Sequence, residues 1–306
     1  MSQVAFTGER LHAGSSLFGV DLARHRAPYL YALDYANSGA NSGANSGANS
    51  DSDSRTSPGA ALSVGFGPRK REETPRVLDL GCGSGYGTAE LADALPRVVG
   101  LDRITHDAKN SRDNIDWVRA DLRANPLAPG SFNLIVSFQV IEHLDDPQVY
   151  LESIARLLAP GGTAIITTPN ILTSDKINPY HVHEYESEEL RACLAPYFDE
   201  VVMQGVGLSN AVRPYFDARL ERIAKIMRID PLGIRNLLPK AWVAWLFAKG
   251  ALWVRRSIRN SDDGLPNAYV GDFPIAPANP ADIDLLAVCR KNLRRTHTKA
   301  AEGVAP

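Results

Sequence analysis

The chain has 306 residues, 44% of them hydrophobic, and a formal net charge of −2. That is enough apolar material for a substantial core, in one large domain or a domain with an appendage. So balanced a charge gives no whole-protein basic field, and nucleic acid is not expected as a partner. Cys82, Cys193 and Cys289 show neither C-x-x-C nor metal-ligand spacing, which fits a reducing, cytoplasmic setting. The first ten residues lack the continuous apolar core of a secretory signal.

In chain order, residues 1–35 form an N-terminal segment whose second half, from Val20, reads as a helix, with Pro28 a kink or boundary. Arg26 and Tyr29 are spaced to share one face of it. A literal repeat follows, A-N-S-G three times and then A-N-S-D. Residues 36–73 are too polar to bury apolar surface and are expected to be a disordered linker. From residue 74 strands and helices alternate: strands at 76–80, 97–101, 116–119, 132–138 and 163–168, helices at 88–94, 103–114 and 147–158. Such alternation predicts a parallel sheet with crossover helices on its faces and ligands at the carboxyl ends of the strands. A helix from Ser187, with Ser187 preferred over Glu186 as its cap, and a sixth strand at 200–204 complete a core spanning 74–207. Residues 208–280 read as a mostly helical insertion, clearest at 216–228 and 240–259. Residues 281–306 supply a last strand, 283–289, and a basic tail.

The segment 77–88, V-L-D-L-G-C-G-S-G-Y-G-T, runs from a buried strand through a glycine turn into a helix. It presents bare backbone and unpaired N–H groups, as a nucleotide-like cofactor requires. The dinucleotide pattern G-x-G-x-x-G fails in both registers, because Tyr86 or Thr88 stands where Gly or Ala is needed. Asp102 ends V-V-G-L-D, where a carboxylate can accept from both hydroxyls of a ribose. Asp121 ends the next strand segment, W-V-R-A-D-L, and Q-V-I-E-H-L follows the fourth strand.

This ordered set, over roughly residues 74–170, resembles the class I S-adenosylmethionine-dependent methyltransferases, of the small-molecule or saccharide-directed kind. The resemblance implies a Rossmann-like α/β fold with a seven-stranded, mostly parallel sheet and a helical insertion before the last strand. It implies a cofactor site at Asp79, Gly81, Cys82, Gly83, Gly85, Asp102, Arg103, Asp121, Leu122 and Gln139, with Tyr29 from an N-terminal cover over the cofactor's methionine end. The loop N-P-Y-H-V-H-E-Y would border the acceptor. His143 and then His181 are the candidate general bases for an oxygen acceptor, which would be a small molecule, a sugar or a lipid-linked group. No metal site is expected. His181-x-His183-Glu184 does not have helical zinc-site spacing, and loop histidines are usually hydrogen-bonded without a metal. Trp242, Trp245, Phe247 and Trp253 make 240–259 a lid over the acceptor, an interfacial helix in peripheral contact with membrane, or a dimerisation surface. The alternative to an enzyme is a non-catalytic nucleoside-binding module of the same fold.

Overall fold

The structure, a computed structural model, describes residues 18–41, 76–227, 240–259 and 266–291. Helix α1 (Gly19–Asn41) is followed by β1 (Val77–Leu80), α2 (Tyr86–Ala94), β2 (Val98–Asp102), β3 (Ile115–Arg119), β4 (Phe132–Phe138), α3 (Gln148–Leu157) and β5 (Leu158–Pro169). Then come α4 (Ser187–Leu194), β6 (Glu200–Val206), α5 (Arg213–Met227), α6 (Lys240–Arg259), β7 (Ile275–Pro277) and β8 (Asp284–Arg290).

One sheet holds all eight strands in the order β3-β2-β1-β4-β5-β8-β6-β7. Strands β1 to β5 pair in parallel, and β8 inserts antiparallel between β5 and β6. The sequence reading expected seven strands. The eighth, β7, is a three-residue edge strand within the predicted insertion, paired antiparallel to β6. The chain runs outward from β1 through β2 to β3, then returns to β4 on the other flank of β1. Loops leaving β1 and β4 therefore part in opposite directions, which opens a crevice at the carboxyl ends of these strands.

The alternation of β1 divides its side chains between two layers. Leu78 and Leu80 join Tyr150, Leu151, Ile154, Leu157 and Leu190 on the face covered by α3 and α4. Val77 joins Tyr29, Ala32, Leu33, Leu91 and Ala92 on the face covered by α1 and α2. Helix α3 buries Tyr150, Leu151, Ile154 and Leu157, the i, i+1, i+4, i+7 stripe of a helix lying on a sheet. A third cluster joins Val20, Ala23 and Ala27 of α1 to Tyr215 and Phe216 of α5, Val254 and Ile258 of α6, and Phe273.

Four local expectations are revised. The predicted helix at 103–114 is absent; a single 3-10 turn, Ala108–Asn110, stands in an otherwise irregular crossing. That segment is held to the glycine turn instead, by Asp107 N–H and Asn110 Nδ2 donating to the Ser84 carbonyl and by His106 stacked on Trp117. Helix α1 runs through Pro28 to Asn41, past the start of the A-N-S-G repeat. The strand expected at 163–168 begins instead at Leu158, so that Pro160-Gly161-Gly162 lies within β5 at a bulge, the register jumping from Phe132↔Leu158 to Leu134↔Thr163 with Gly161 at φ +76°. The cap of α4 is Glu186, whose N–H donates to Glu189, rather than Ser187. Residues 1–17, 42–75 and 292–306, with the early cover and most of the linker, lie outside the described residues, as do the side chains of Trp245 and Phe247.

Candidate functional site

A cavity of about 800 Å³ occupies the crevice at the carboxyl ends of β1 to β5, within the roughly 300–1,000 Å³ usual for ligand pockets. It is floored by the glycine turn and roofed by α1, α5 and the 170–184 loop. Of the predicted residues, Tyr29, Gly81, Cys82, Gly83, Asp102, Arg103, Asp121, Leu122, Gln139, His143 and His181 all line it. Asp79 and Gly85 do not.

The turn owes its shape to Asp102. Its carboxylate accepts from Gly83 N–H at 2.8 Å and from Ile104 N–H at 3.0 Å, tying the end of β2 to the turn after β1. A carboxylate offers about four lone-pair positions, so acceptor capacity remains for hydroxyls in the cavity. Gly83 sits at φ +54°, and a Cβ there would meet nothing within 4 Å. Its place in the turn therefore reflects backbone conformation and an uncovered surface. Gly85, at φ +82°, caps α2 and makes room for the Trp117 ring rather than for a ligand. At the next strand end Asp121 is held by Arg123, which donates from its backbone N–H at 2.9 Å and from its guanidinium at 3.1 Å. These hydrogen bonds lower its pKa to about 2.

Asp79 corrects the expectation that three carboxylates share one rim. Because it alternates with Leu78 and Leu80, its side chain points to the α1/α2 layer, where it is 1% exposed. It accepts from Thr88 Oγ1 at 2.6 Å and from Tyr29 Oη at 3.3 Å. Burial, together with the charge of Asp102, raises its pKa to about 7 despite those hydrogen bonds. Asp79 thus braces the floor of the cavity from behind, through the tyrosine that lines it. Arg26, three residues earlier on α1, fastens the same helix to α2 by donating from Nη2 to Glu90 Oε1 at 2.7 Å and from Nε to Glu90 Oε2 at 3.0 Å.

Across the cavity, β4 is followed by Gln139, a non-glycine residue at φ +57°. This sparsely populated conformation turns the chain into a 3-10 turn, Ile141–His143. The turn presents Glu142 and His143 together. His143 Nδ1 lies 2.9 Å from the Tyr180 carbonyl, which can only accept, so Nδ1 carries the hydrogen and Nε2 the lone pair. His181 Nδ1 lies 2.6 Å from Glu184 Oε1, with the same consequence. The two imidazoles meet edge to face with centroids 5.0 Å apart. His183 faces elsewhere: it bonds Glu189 at 2.7 Å on the exposed side, so the His181-x-His183-Glu184 set does not converge.

The remaining wall was not foreseen. Asp21 of α1, 2% exposed, accepts from Arg255 of α6 at 2.9 Å and from Arg219 of α5 at 3.2 Å. Burial alone would raise its pKa, but Arg255, Arg219 and Arg24 outweigh it and hold the group well below the usual carboxylate range. Arg24 reaches Asp284 of β8 at 3.3 Å. The one local sequence signal for this network is an acid and a base three residues apart in α1, Asp21 and Arg24. Glu142 was equally overlooked, although a charged residue inside the apolar run V-I-E-H-L is such a signal.

The floor fits an adenosylated sulfonium. Asp102 has acceptor capacity to spare, Gly83 leaves bare backbone, and Asp121 and Leu122 continue the wall. Comparison with known proteins agrees. Residues 59–204 match the model of a methyltransferase domain family. Over 147 residues the chain is 36% identical to a "Probable S-adenosylmethionine-dependent methyltransferase" of Mycolicibacterium smegmatis, covering 44% of this chain and 57% of that protein. Over 104 residues it is 38% identical to a "Trans-aconitate 2-methyltransferase" of Azoarcus, covering 32% of this chain and 40% of that one. A solved Thermotoga maritima structure titled a SAM-dependent methyltransferase aligns over 90% of this chain and 98% of its own, at 13% identity and a TM-score of 0.47. The chain spans about half the length of the curated relatives it matches. Through residues 59–204, the chain carries a match to a methyltransferase domain and is similar over that stretch to proteins described as S-adenosylmethionine-dependent methyltransferases, and the cavity floor fits that cofactor.

Proposed function

We propose that this chain methylates a hydroxyl oxygen of a small-molecule or saccharide-type acceptor. When bound, S-adenosylmethionine supplies a methyl group already activated on a sulfonium. Asp102, Gly83, Asp121 and Leu122 would hold the nucleoside part, and Tyr29 and Gln139 the wall beside it. The protein's task is to orient the acceptor and exclude water, which can be worth ~7–11 kcal/mol at its upper range.

The observation that carries the oxygen reading is the orientation of His143. Its Nδ1–H is spent on the Tyr180 carbonyl, so the side chain offers the acceptor wall a lone pair on Nε2. An oxygen acceptor must lose a proton, and this imidazole can receive it from the hydroxyl, an effect worth roughly 10²–10⁴-fold. His181, oriented by Glu184, stands beside it to stabilise the imidazolium's surroundings and the acceptor's position.

A lipid-linked acceptor is favoured by one further observation: Trp242 and Trp253 of α6 are 64% and 57% exposed. Indole rings so placed suit the boundary of a lipid surface. Among the described residues no helix is long and apolar enough to cross a membrane, so any such contact would be peripheral.

The test is transfer of labelled methyl groups from S-adenosylmethionine to extracts of polar metabolites and of glycolipids, followed by mass spectrometry for a gain of one CH₂. A labelled hydroxyl-bearing product is expected. Cofactor binding with no labelled product in any fraction would favour the non-catalytic nucleoside-binding reading.

A further inference from the structure

The acceptor wall contains a group that proton transfer alone does not explain. Glu142 is fully buried yet lines the cavity. One carboxylate oxygen accepts from Thr168 Oγ1 at 3.1 Å, and the other, Oε1, finds no hydrogen-bond partner among the described residues. An orphaned buried carboxylate oxygen is costly, and such an atom in a native site calls for a missing ion, water or ligand group.

Its neighbours are suited to an ion. Among the described residues, Glu142, His143 and His181 form the one group of three ligating side chains with an atom from each within 4.8 Å of the others. Both imidazoles are held as metal-bound histidines usually are, with one ring nitrogen bonded to a carbonyl or carboxylate behind them. Tyr180 O and Glu184 Oε1 are those outer partners. The three fall on two supports: the 3-10 turn after β4 carries Glu142 and His143, and the 170–186 loop carries His181. Val182 and His183 N–H donate to the Glu142 carbonyl at 2.7 and 3.2 Å, which binds those supports together and preorganises the triad.

We infer that Glu142, His143 and His181 form a binding site for a divalent first-row transition-metal cation, with its open positions facing the acceptor side of the cavity. Two imidazoles and one carboxylate favour Mn²⁺ through Zn²⁺ over Mg²⁺ or Ca²⁺, which prefer all-oxygen surroundings. The protein supplies three ligands, leaving room for an acceptor oxygen, as in open catalytic sites. The consequence for function rests on the methyl-transfer reading. A hydroxyl coordinated there loses its proton to solvent at lower pH than a free hydroxyl, because the cation stabilises the resulting oxyanion. With the cation bound, the imidazole lone pairs are engaged on it and the acceptor's proton leaves to solvent; with no cation bound, His143 receives that proton itself. Cation binding itself stands apart from that reading.

The experiment is a titration of the full chain, stripped with chelator, with Mn²⁺ alone, followed by electron paramagnetic resonance, with Zn²⁺ as competitor. S-adenosylmethionine binding is measured on the same samples by calorimetry. One Mn²⁺ per chain is expected, displaced by Zn²⁺. Glu142→Gln, which keeps shape and removes the ligand charge, should weaken it by roughly 10²-fold, at or beyond the loss seen when an outer partner is removed. His143→Ala should do the same, with cofactor affinity in both variants unchanged. Absence of a stoichiometric site in a wild-type protein that binds cofactor would overturn the inference, as would equal Mn²⁺ affinity in Glu142→Gln. Mn²⁺ bound at the triad without cofactor binding would uphold the metal site and count against methyl transfer. Should Glu142→Gln fail to fold, His181→Ala on the more exposed loop gives the same discrimination.

Discussion

The two walls of the cavity are made of different materials. The floor is main chain, shaped by ties between near neighbours in sequence. Gly83 and Ile104 N–H groups converge on one carboxylate, 19 and 2 residues away. The roof is side-chain charge gathered from the ends of the chain: Asp21 meets Arg255 across 234 residues, and Arg24 meets Asp284 across 260. A backbone cradle serves a ligand common to many proteins, whereas a wall assembled from distant side chains can be rebuilt without disturbing it. If so, the two walls should be separable by mutation.

The largest expected effect is on the roof. Asp21→Ala leaves Arg255 and Arg219 without their shared carboxylate in a buried setting, and should cost about 3–5 kcal/mol of stability, read from urea unfolding. Cofactor affinity of the folded fraction should stay close to wild type. A matching loss of affinity would mean that the walls are not independent.

The two buried carboxylates should also move stability with pH in opposite directions. Asp79 rises from 3.8 to about 7 on folding, so the native state keeps a proton that the unfolded chain has released. Stability from this group is therefore full below pH 3.8 and is lost as the pH rises through about 7. Asp79→Asn should remove that decline, leaving the variant at least as stable as wild type above neutrality. Asp21 has the opposite sign: its contribution is full above 3.8 and is lost as the pH falls below that value. The deficit of Asp21→Asn should thus shrink in acid. Urea midpoints measured across the pH range check both slopes.

A smaller effect is expected at the floor. Gly83→Ala must hold a Cβ at φ +54°, costing about 1–2 kcal/mol. Because that Cβ would project into open space, cofactor affinity should fall as well, measured by calorimetry. The smallest is Arg26→Ala. Its pair with Glu90 is half exposed at the arginine end, so roughly 0.2–1 kcal/mol is expected, seen as a small shift in thermal midpoint that salt diminishes.

The same contrast explains what could be read from the sequence. The floor was legible because its information is local: a glycine turn after an apolar strand, then an acid at each of the next two strand ends. Asp102 and Asp121 were found in this way. Asp79 was misplaced because resemblance assigned it to the rim, although strand alternation with Leu78 and Leu80 already pointed it into the α1/α2 layer. Gly85 was assigned to the ligand, yet it accommodates Trp117, a residue 32 positions later whose contact no local pattern reveals. The helix expected at 103–114 failed for a similar reason, since Asp107 and Asn110 bond the Ser84 carbonyl in place of a helical ladder. The roof was illegible because nothing near Asp21 announces Arg219 or Arg255. His143 and His181 were identified as residue types suited to proton transfer, but their tautomers depend on Tyr180 and Glu184 in the folded loop.

The central claim is that Asp102 and the glycine turn form the cradle for S-adenosylmethionine. Calorimetric titration of wild type and Asp102→Ala with that cofactor tests it most directly. Two charge-assisted hydrogen bonds are at stake, so binding to wild type should weaken by roughly 10²-fold or more in the variant. A folded wild type that does not bind the cofactor, or a variant that binds it as tightly as wild type, would contradict the account.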